Sequence, residues 1–447
     1  LSHPVPAVVA GSETLDAIMK PVGIGLFGCG TVGSGVARLL LEQTERLAQR
    51  AGRPLVLKRI VVQHLDKPRL FTPPSALMTD DPRAILDDPG IDIAIEVIGG
   101  VTTARDLLLE LLRRGKDVVT ANKAALALYG DTLFGEAERL GRTIAFEASV
   151  AGGIPIVHAI AQGLAANQIQ SIKAILNGTS NFILTEMAER QCSYPVALAQ
   201  AQAHGYAEAD PTLDVDGSDA AHKLAILARL AFGVSVSGDD IERRGIDTIA
   251  QADLRFAREL GFVIKLLAEA WLIDDRVALH VEPTLVRKFE PLAEVRGPYN
   301  AVHVVGDAVQ DTLFYGPGAG QMPTASAVVA DVIDLVNGRG QLTFNALSLG
   351  TPNRAIRLRS ADDIQSRFYL RVTVQERLGV LALVDSIFAR HHISIASVVQ
   401  HEAELGAEVA VVVLTHSANL GHVRKAVDEI DGLACTVAPT VFYPVAE

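Results

Sequence analysis

Between Gly205 and Lys223 five carboxylates (Glu208, Asp210, Asp214, Asp216 and Asp219) fall within twelve residues, and a single lysine closes the run. Residues of these types could bind a small zwitterion: a carboxylate grips an ammonium group, and a lysine held by an aspartate exchanges a proton with the reacting group. Asp219 and Lys223 stand four apart, on one face of any helix that carries them. The same pattern also describes a solvated acidic loop and a surface ion pair of little energetic weight. Taken alone, the segment leaves both open. A calcium loop is excluded, because with Gly217 at the glycine position the last ligand falls on Lys223, which has no acceptor.

Pro211 and Gly217 make the first part of this stretch loop. From Ser218 apolar residues recur at 220, 224, 227 and 231, a helical period, with Ser218 the expected N-cap and Asp219 in the first turn. A second such stretch lies near the N-terminus. Val22–Phe27 has the pattern of a short buried strand, followed by Gly28, Cys29, Gly30, Thr31, Val32 and Gly33 and then a helical pattern through Val36, Leu39, Leu40 and Leu47. A glycine turn between strand and helix lets the backbone approach a pyrophosphate resting on the helix N-terminus, so NAD or NADP is the expected cofactor. Cys29 is expected to be a small filler.

Leu55 to Val62 is the next expected strand. No acid stands at its end to take a ribose 2′-hydroxyl, while Lys67 and Arg69 could meet a 2′-phosphate, so the choice of nucleotide stays open. Ile91 to Ile98 runs into Gly99 and Gly100, with Thr102 or Thr103 as the next helix cap. Asp117 to Thr120 opens onto Asn122 and Lys123, and Thr143 to Val150 is one more strand. Strands alternating with helices predict an α/β, Rossmann-like doubly wound parallel sheet over residues 1–150.

Beyond Pro155, strand-like runs at 169–176, 277–286, 301–305 and 312–315 among Ala-rich helical segments predict an α+β domain over 151–322. A glycine-rich turn from Gly316 to Gly320 leads into a helix over Pro323 to Val336, and 323–350 is expected to return to the first domain. Residues 351–366 read as a linker. Over 367–447, strands at 367–375, 393–401, 408–414 and 433–443 and helices at 379–390 and 419–430 give the βαββαβ order of a ferredoxin-like module.

With 40 basic and 52 acidic residues among 447, the formal charge is −12, which argues against nucleic acid or an anionic membrane as partner. No apolar run reaches spanning length. Residues 1–20 lack the basic region of a signal peptide, and an opening Leu is expected from trimming or recloning. Three scattered cysteines suggest neither a disulfide framework nor a zinc site, and the expected location is the cytoplasm.

With these residues in place, the chain resembles the homoserine dehydrogenase family carrying a C-terminal ACT module, from about Val22 onward. The motifs that carry the resemblance are Gly28 to Gly33, Glu96 to Gly100, Thr120 to Ala124, Asn177 to Asn181, Gly205 to Lys223, and Gly318 to Gly320 before Pro323. With no aspartate-kinase region ahead of the glycine turn, the chain is similar to the monofunctional form. The resemblance implies NAD(P)-dependent interconversion of L-homoserine and L-aspartate 4-semialdehyde, a step toward threonine, isoleucine and methionine. It implies Lys223 as proton carrier oriented by Asp219, and Glu208 on the substrate ammonium with Asp214 supporting the pocket. Asn177, Gly178, Thr179 and Tyr206 become substrate contacts, and Lys123, Gly205 and Gly318 lie by the cofactor. Burial, or a second cation such as Lys123, would lower the pKa of Lys223 as a base requires, and Asp219 would oppose that shift.

The resemblance further implies a sodium ion held by Glu147 and the carbonyls of Val150, Gly152 and Ile154, oxygen ligands that suit a hard cation. The same residues read equally as a buried structural turn. A homodimer or homotetramer is expected, with threonine as a possible effector of the ACT module. Two positions depart from the family: Gln63 where many members carry arginine, which weakens a preference for NADP, and Glu376-Arg377-Leu378-Gly379, which lacks a proline frequent at the first ACT turn. One rival is a phosphorylating aldehyde dehydrogenase, but Cys192 and Cys435 lack the setting of a thiolate nucleophile. Another is an amino-acid-sensing protein without catalysis, against which Lys123, Asp219 and Lys223 stand.

Overall fold

A computed structural model of the chain describes residues 20–351, 356–402 and 404–446. The N-terminal segment expected to carry no signal peptide and part of the expected linker (352–355) lie outside the described residues. The chain divides into two compact units, one of Leu1–Gln162 with Ala319–Pro352 and the other of Gly163–Gly318 with Asn353–Glu447.

In the first unit six parallel strands lie in the spatial order third, second, first, fourth, fifth, sixth: Val22–Phe27, Leu55–Val61, Met78–Thr79, Ile93–Glu96, Asp117–Thr120 and Ile144–Ala145. The order reverses between the first and fourth strands, the switch point at which such sheets leave a ligand crevice at their C-terminal edge. Every residue of Val22–Phe27 is buried, as a central strand covered on both faces must be. Helix Gln321–Val336 packs on helix Thr31–Glu42 at Gly35, where a Cβ would come within 2.8 Å of the Gln321 carbonyl oxygen.

Three local expectations fail here. The helical pattern through Leu47 breaks at Gln43 into Thr31–Glu42 and Thr44–Ala51. The strand expected over Thr143 to Val150 shrinks to Ile144–Ala145, because the backbone turns at Glu147, whose N–H donates to Asp331 at 2.9 Å. Thr102 and Thr103 do not cap the helix Thr102–Arg113; Val101 occupies the cap position without a side-chain bond.

The second unit is built on a mixed sheet. Its order runs Gln310–Pro317, Tyr299–Gly306, Ile169–Ile175, Phe262–Ile273, Arg276–Arg287, Thr436–Val445, Gln365–Gln375, Glu408–Thr415, Ile395–Gln400. The four C-terminal strands lie fourth, first, third, second, all antiparallel, with helices Val380–Arg390 and Leu420–Asp431. Their core holds Phe368, Leu370, Val372, Phe388 and Ile430. Leu285 pairs with Val445, so this part continues the large sheet. The segment read as linker carries a short strand, Arg357–Leu358, paired with Arg276 and Val277. Among the described residues no helix is long and apolar enough to cross a membrane.

Candidate active site

Lys223 lies in the second turn of helix Ser218–Phe232, and its Nζ donates to Asp219 Oδ2 and to the Leu176 carbonyl, both at 2.7 Å. Lys223 is 8% and Asp219 7% exposed, which removes the reading of a solvated surface pair. The helix starts one residue earlier than expected, with Ser218 inside it and not at its cap. Gly217 takes the cap position at φ 87°, and Asp216 accepts the Ser218 N–H at 2.8 Å.

A buried ion pair is tolerable only when its remaining lone pairs are filled. Asn177 does this: its amide donates to Asp219 Oδ2 at 2.9 Å and to Asp214 Oδ1 at 2.8 Å, while its oxygen accepts the Ser180 N–H and caps helix Gly178–Arg190. Gly178 sits where a Cβ would be 2.6 Å from the Pro298 carbonyl oxygen. The Thr179 hydroxyl donates to the Tyr206 carbonyl and the Ser180 hydroxyl to the Asp214 carbonyl, each at 2.7 Å. Burial pushes the Asp214 carboxyl up; the Asn177 bond opposes this, Asp219 adds to it, and Lys223 offsets it.

Asn177, Gly178, Thr179, Asp214, Asp219 and Lys223 therefore form one group. Glu208 stands apart on the exposed turn that also carries Gly205, at φ 74°. Tyr206 joins the group by its main chain, and its ring packs 4.9 Å from Phe182. Asn300, which no motif singled out, is buried and donates at 3.0 Å to the same Leu176 carbonyl that holds Lys223. Its Oδ1 is buried without a hydrogen-bond partner among the described residues. Gly318 is dictated by it, since a Cβ there would fall 2.2 Å from the Asn300 amide.

The first unit supplies the features of a nucleotide site. Gly28 has φ 97°, and a Cβ on Gly33 would lie 2.1 Å from the Gly28 carbonyl oxygen, so both glycines are required by the turn. A Cβ on Gly30 would meet nothing within 4 Å, leaving open space at the N-terminus of helix Thr31–Glu42, where Thr31 and Val32 form the first turn. Exposed N–H groups at that end suit a pyrophosphate. Gly99 and Gly100 are left-handed at 75° and 74° with equally open space, Thr102 begins the following helix, and Lys123 begins helix Lys123–Leu140. Lys67 is exposed. Arg69 donates to the carbonyls of His64, Leu65 and Lys67, and its charge acts on Cys29 inside the glycine turn, where burial raises the thiol and the Ser34 bond and Arg69 oppose that rise.

Of the four residues expected to hold sodium, Glu147 and Ile154 also make internal hydrogen bonds. Glu147 accepts the N–H groups of Val157 (3.0 Å) and His158 (2.8 Å) and also contacts the His158 ring, while the Ile154 carbonyl accepts the Ile156 N–H at 2.8 Å. Val150 is fully buried and Gly152 has φ 27°. Burial alone would lower the pKa of His158, but Asp334 at 3.0 Å and Glu147 raise it to about 10. A charged imidazolium therefore stands against the Glu147 carboxylate near neutral pH.

Residues 28–147 match a family model described as the homoserine dehydrogenase NAD binding domain, and residues 155–333 match the homoserine dehydrogenase model. A homoserine dehydrogenase of Bacillus subtilis (strain 168) is 41% identical over 400 residues, covering 89% of this chain and 92% of that protein. A crystal structure of a homoserine dehydrogenase from Thiobacillus denitrificans matches with a TM-score of 0.89 at 40% identity, covering 96% of this chain and 99% of that one. A hyperthermophilic archaeal homoserine dehydrogenase in complex with NADPH matches at 0.59 and 26% identity, covering 70% of this chain and 97% of that one.

Proposed function

The chain belongs to the homoserine dehydrogenase family, and on that premise we propose that Lys223 carries the proton of the reaction. The protein is an NAD(P)-dependent oxidoreductase that interconverts L-homoserine and L-aspartate 4-semialdehyde in amino-acid biosynthesis. The observation that carries the assignment is the buried Lys223–Asp219 pair, locked by Asn177 and the Leu176 carbonyl.

In oxidation Lys223 Nζ takes the hydroxyl proton of homoserine as hydride leaves the carbinol carbon; in reduction it returns the proton to the new alkoxide. A bound nicotinamide supplies the hydride acceptor or donor. Asp219 and the Leu176 carbonyl hold Nζ from two sides, so the amine meets the substrate oxygen without first having to be ordered. Glu208 is assigned to the substrate ammonium, with Asp214 shaping the same pocket through Asn177. A sensing role without catalysis is not favoured, since it leaves no task for a buried lysine–aspartate pair.

Lys223→Ala should lower kcat by about a thousandfold, within the range of general acid–base catalysis. Nicotinamide absorbance with homoserine and NAD or NADP reads this directly, and parental turnover in the variant would remove Lys223 from its role. Arg69, beside the glycine turn, is proposed as the group that meets a 2′-phosphate. Arg69→Ala should weaken NADPH binding more than NADH binding, and equal weakening of both would assign Arg69 to the turn alone.

The proposed domains are 1–150 with 323–350 for the nucleotide, 151–322 for substrate and dimerisation, and 367–447 as an ACT module. The fourth–first–third–second strand order supports the ferredoxin-like reading of the last. An amino-acid effector such as threonine is proposed for that module, and a homo-oligomer for the α+β domain. Unchanged activity and oligomeric state in millimolar threonine would end that part of the proposal.

A further inference from the structure

Glu96 ends strand Ile93–Glu96 and is wholly buried. Its two oxygens accept the Ile98 N–H at 3.0 Å and the Thr120 hydroxyl at 2.6 Å. Thr120 is its register partner at the end of strand Asp117–Thr120 and is also wholly buried. The Thr120 oxygen in turn accepts the Asn122 N–H at 3.0 Å. Asn122 then closes a ring: its amide donates to the Gly100 carbonyl at 2.7 Å, and its oxygen accepts the Ala125 N–H at 3.0 Å, capping helix Lys123–Leu140.

The loop after Glu96 is thus held at Ile98 by the carboxylate and at Gly100 by Asn122. It also abuts the glycine turn, since a Cβ on Gly28 would come within 2.7 Å of the Val97 carbonyl oxygen. Left-handed Gly99 and Gly100 give this loop little stiffness of its own. Packing would be served as well by an apolar side chain, and burying a carboxyl is unfavourable unless its oxygens are engaged. Both oxygens act only as acceptors here, and burial raises the group while the Thr120 and Ile98 bonds hold it down.

We propose that Glu96, Thr120 and Asn122 are positioning residues that set the 97–100 loop and Lys123 for the nicotinamide nucleotide. None of the three needs to touch the nucleotide. The ring fixes two strand ends relative to each other, so that the glycine loop and the first turn of the lysine-bearing helix are presented as one preformed surface. The inference rests on the reading that these loops bind the nucleotide.

The test compares Thr120→Val, which keeps the shape and removes the hydroxyl, with Thr120→Ser, which keeps the hydroxyl. Glu96→Gln is the second probe, placing an amide donor where an acceptor is needed. NADPH fluorescence without substrate should show the dissociation constant rising about tenfold in Thr120→Val and Glu96→Gln, the scale of one lost hydrogen bond. The KM for NADPH should rise in step, the KM for homoserine should stay constant, and Thr120→Ser should restore most of the affinity. Unchanged NADPH affinity in both probes, or equal damage from Ser and Val at 120, would overturn the positioning role. A parent protein that binds neither NADPH nor NADH would overturn the underlying site instead.

Discussion

Among the described residues of the second unit two lysines are buried, and they have different neighbours. Lys223 has a carboxylate at 2.7 Å. Lys265 is held by the Asn181 side-chain oxygen at 3.0 Å and the Val295 carbonyl. Burial, aided by Arg296 and opposed by Glu189 and Glu294, pushes the Lys265 ammonium down to about 8. An unfolded lysine titrates near about 10.4, so the folded state binds this proton less tightly than the unfolded one. Below about pH 8 the charged form then costs the fold about 3 kcal/mol, a cost that disappears as pH rises toward about 10.4. Urea unfolding of the parent and Lys265→Met across that window should show the rise in the parent only; parallel curves would refute it. Spacing made the Asp219–Lys223 pair legible in the sequence because both partners are side chains four apart. Lys265 and Asn300 were not legible, since their partners are main-chain carbonyls or residues far away in the chain.

Elements were legible where one period governs the whole stretch. Val22–Phe27 and Asp117–Thr120 stand as expected because each is a short apolar run ended by glycine or a cap. Phe262–Ile273 was missed because Lys265, Glu269 and the adjacent Leu266 and Leu267 blur its alternation, and its identity is fixed by pairing along its whole length with Arg276–Arg287. The strand beyond Ala145 failed for the opposite reason: the apolar pattern continues, but Asp331 captures the Glu147 N–H and turns the chain. The same dependence on distant partners governs Gly318, just after strand Gln310–Pro317. Gly318→Ala should push the Asn300 amide off the Leu176 carbonyl and loosen the Lys223 seat, lowering kcat at least about tenfold for a misplaced catalytic group. Steady-state kinetics beside Asn300→Ala check this. A normal Gly318→Ala enzyme would show that the amide can yield without disturbing the lysine.

At the scale of the molecule, the second unit ties its C-terminal strands to the rest of its sheet by a buried charge as well as by strand pairing. Asp253 on helix Gln251–Glu259 is fully buried and accepts a two-point contact from Arg371 at 2.6 and 3.0 Å and the Tyr369 hydroxyl at 3.0 Å. Beside it the sheet runs on through the Leu285–Val445 pair, and the Ala446 N–H donates to Leu285 at 2.8 Å. Asp253→Ala strands a guanidinium that is 14% exposed, and breaking a buried pair in this way costs about 3–5 kcal/mol. If the continuous sheet makes the unit cooperative, the loss cannot stay local. Amide exchange should quicken together in Gln365–Gln375 and in Phe262–Ile273, which belong to different parts of the chain but to one sheet. Faster exchange confined to Gln365–Gln375 would mean that the C-terminal strands open by themselves and that the shared sheet edge transmits no stability.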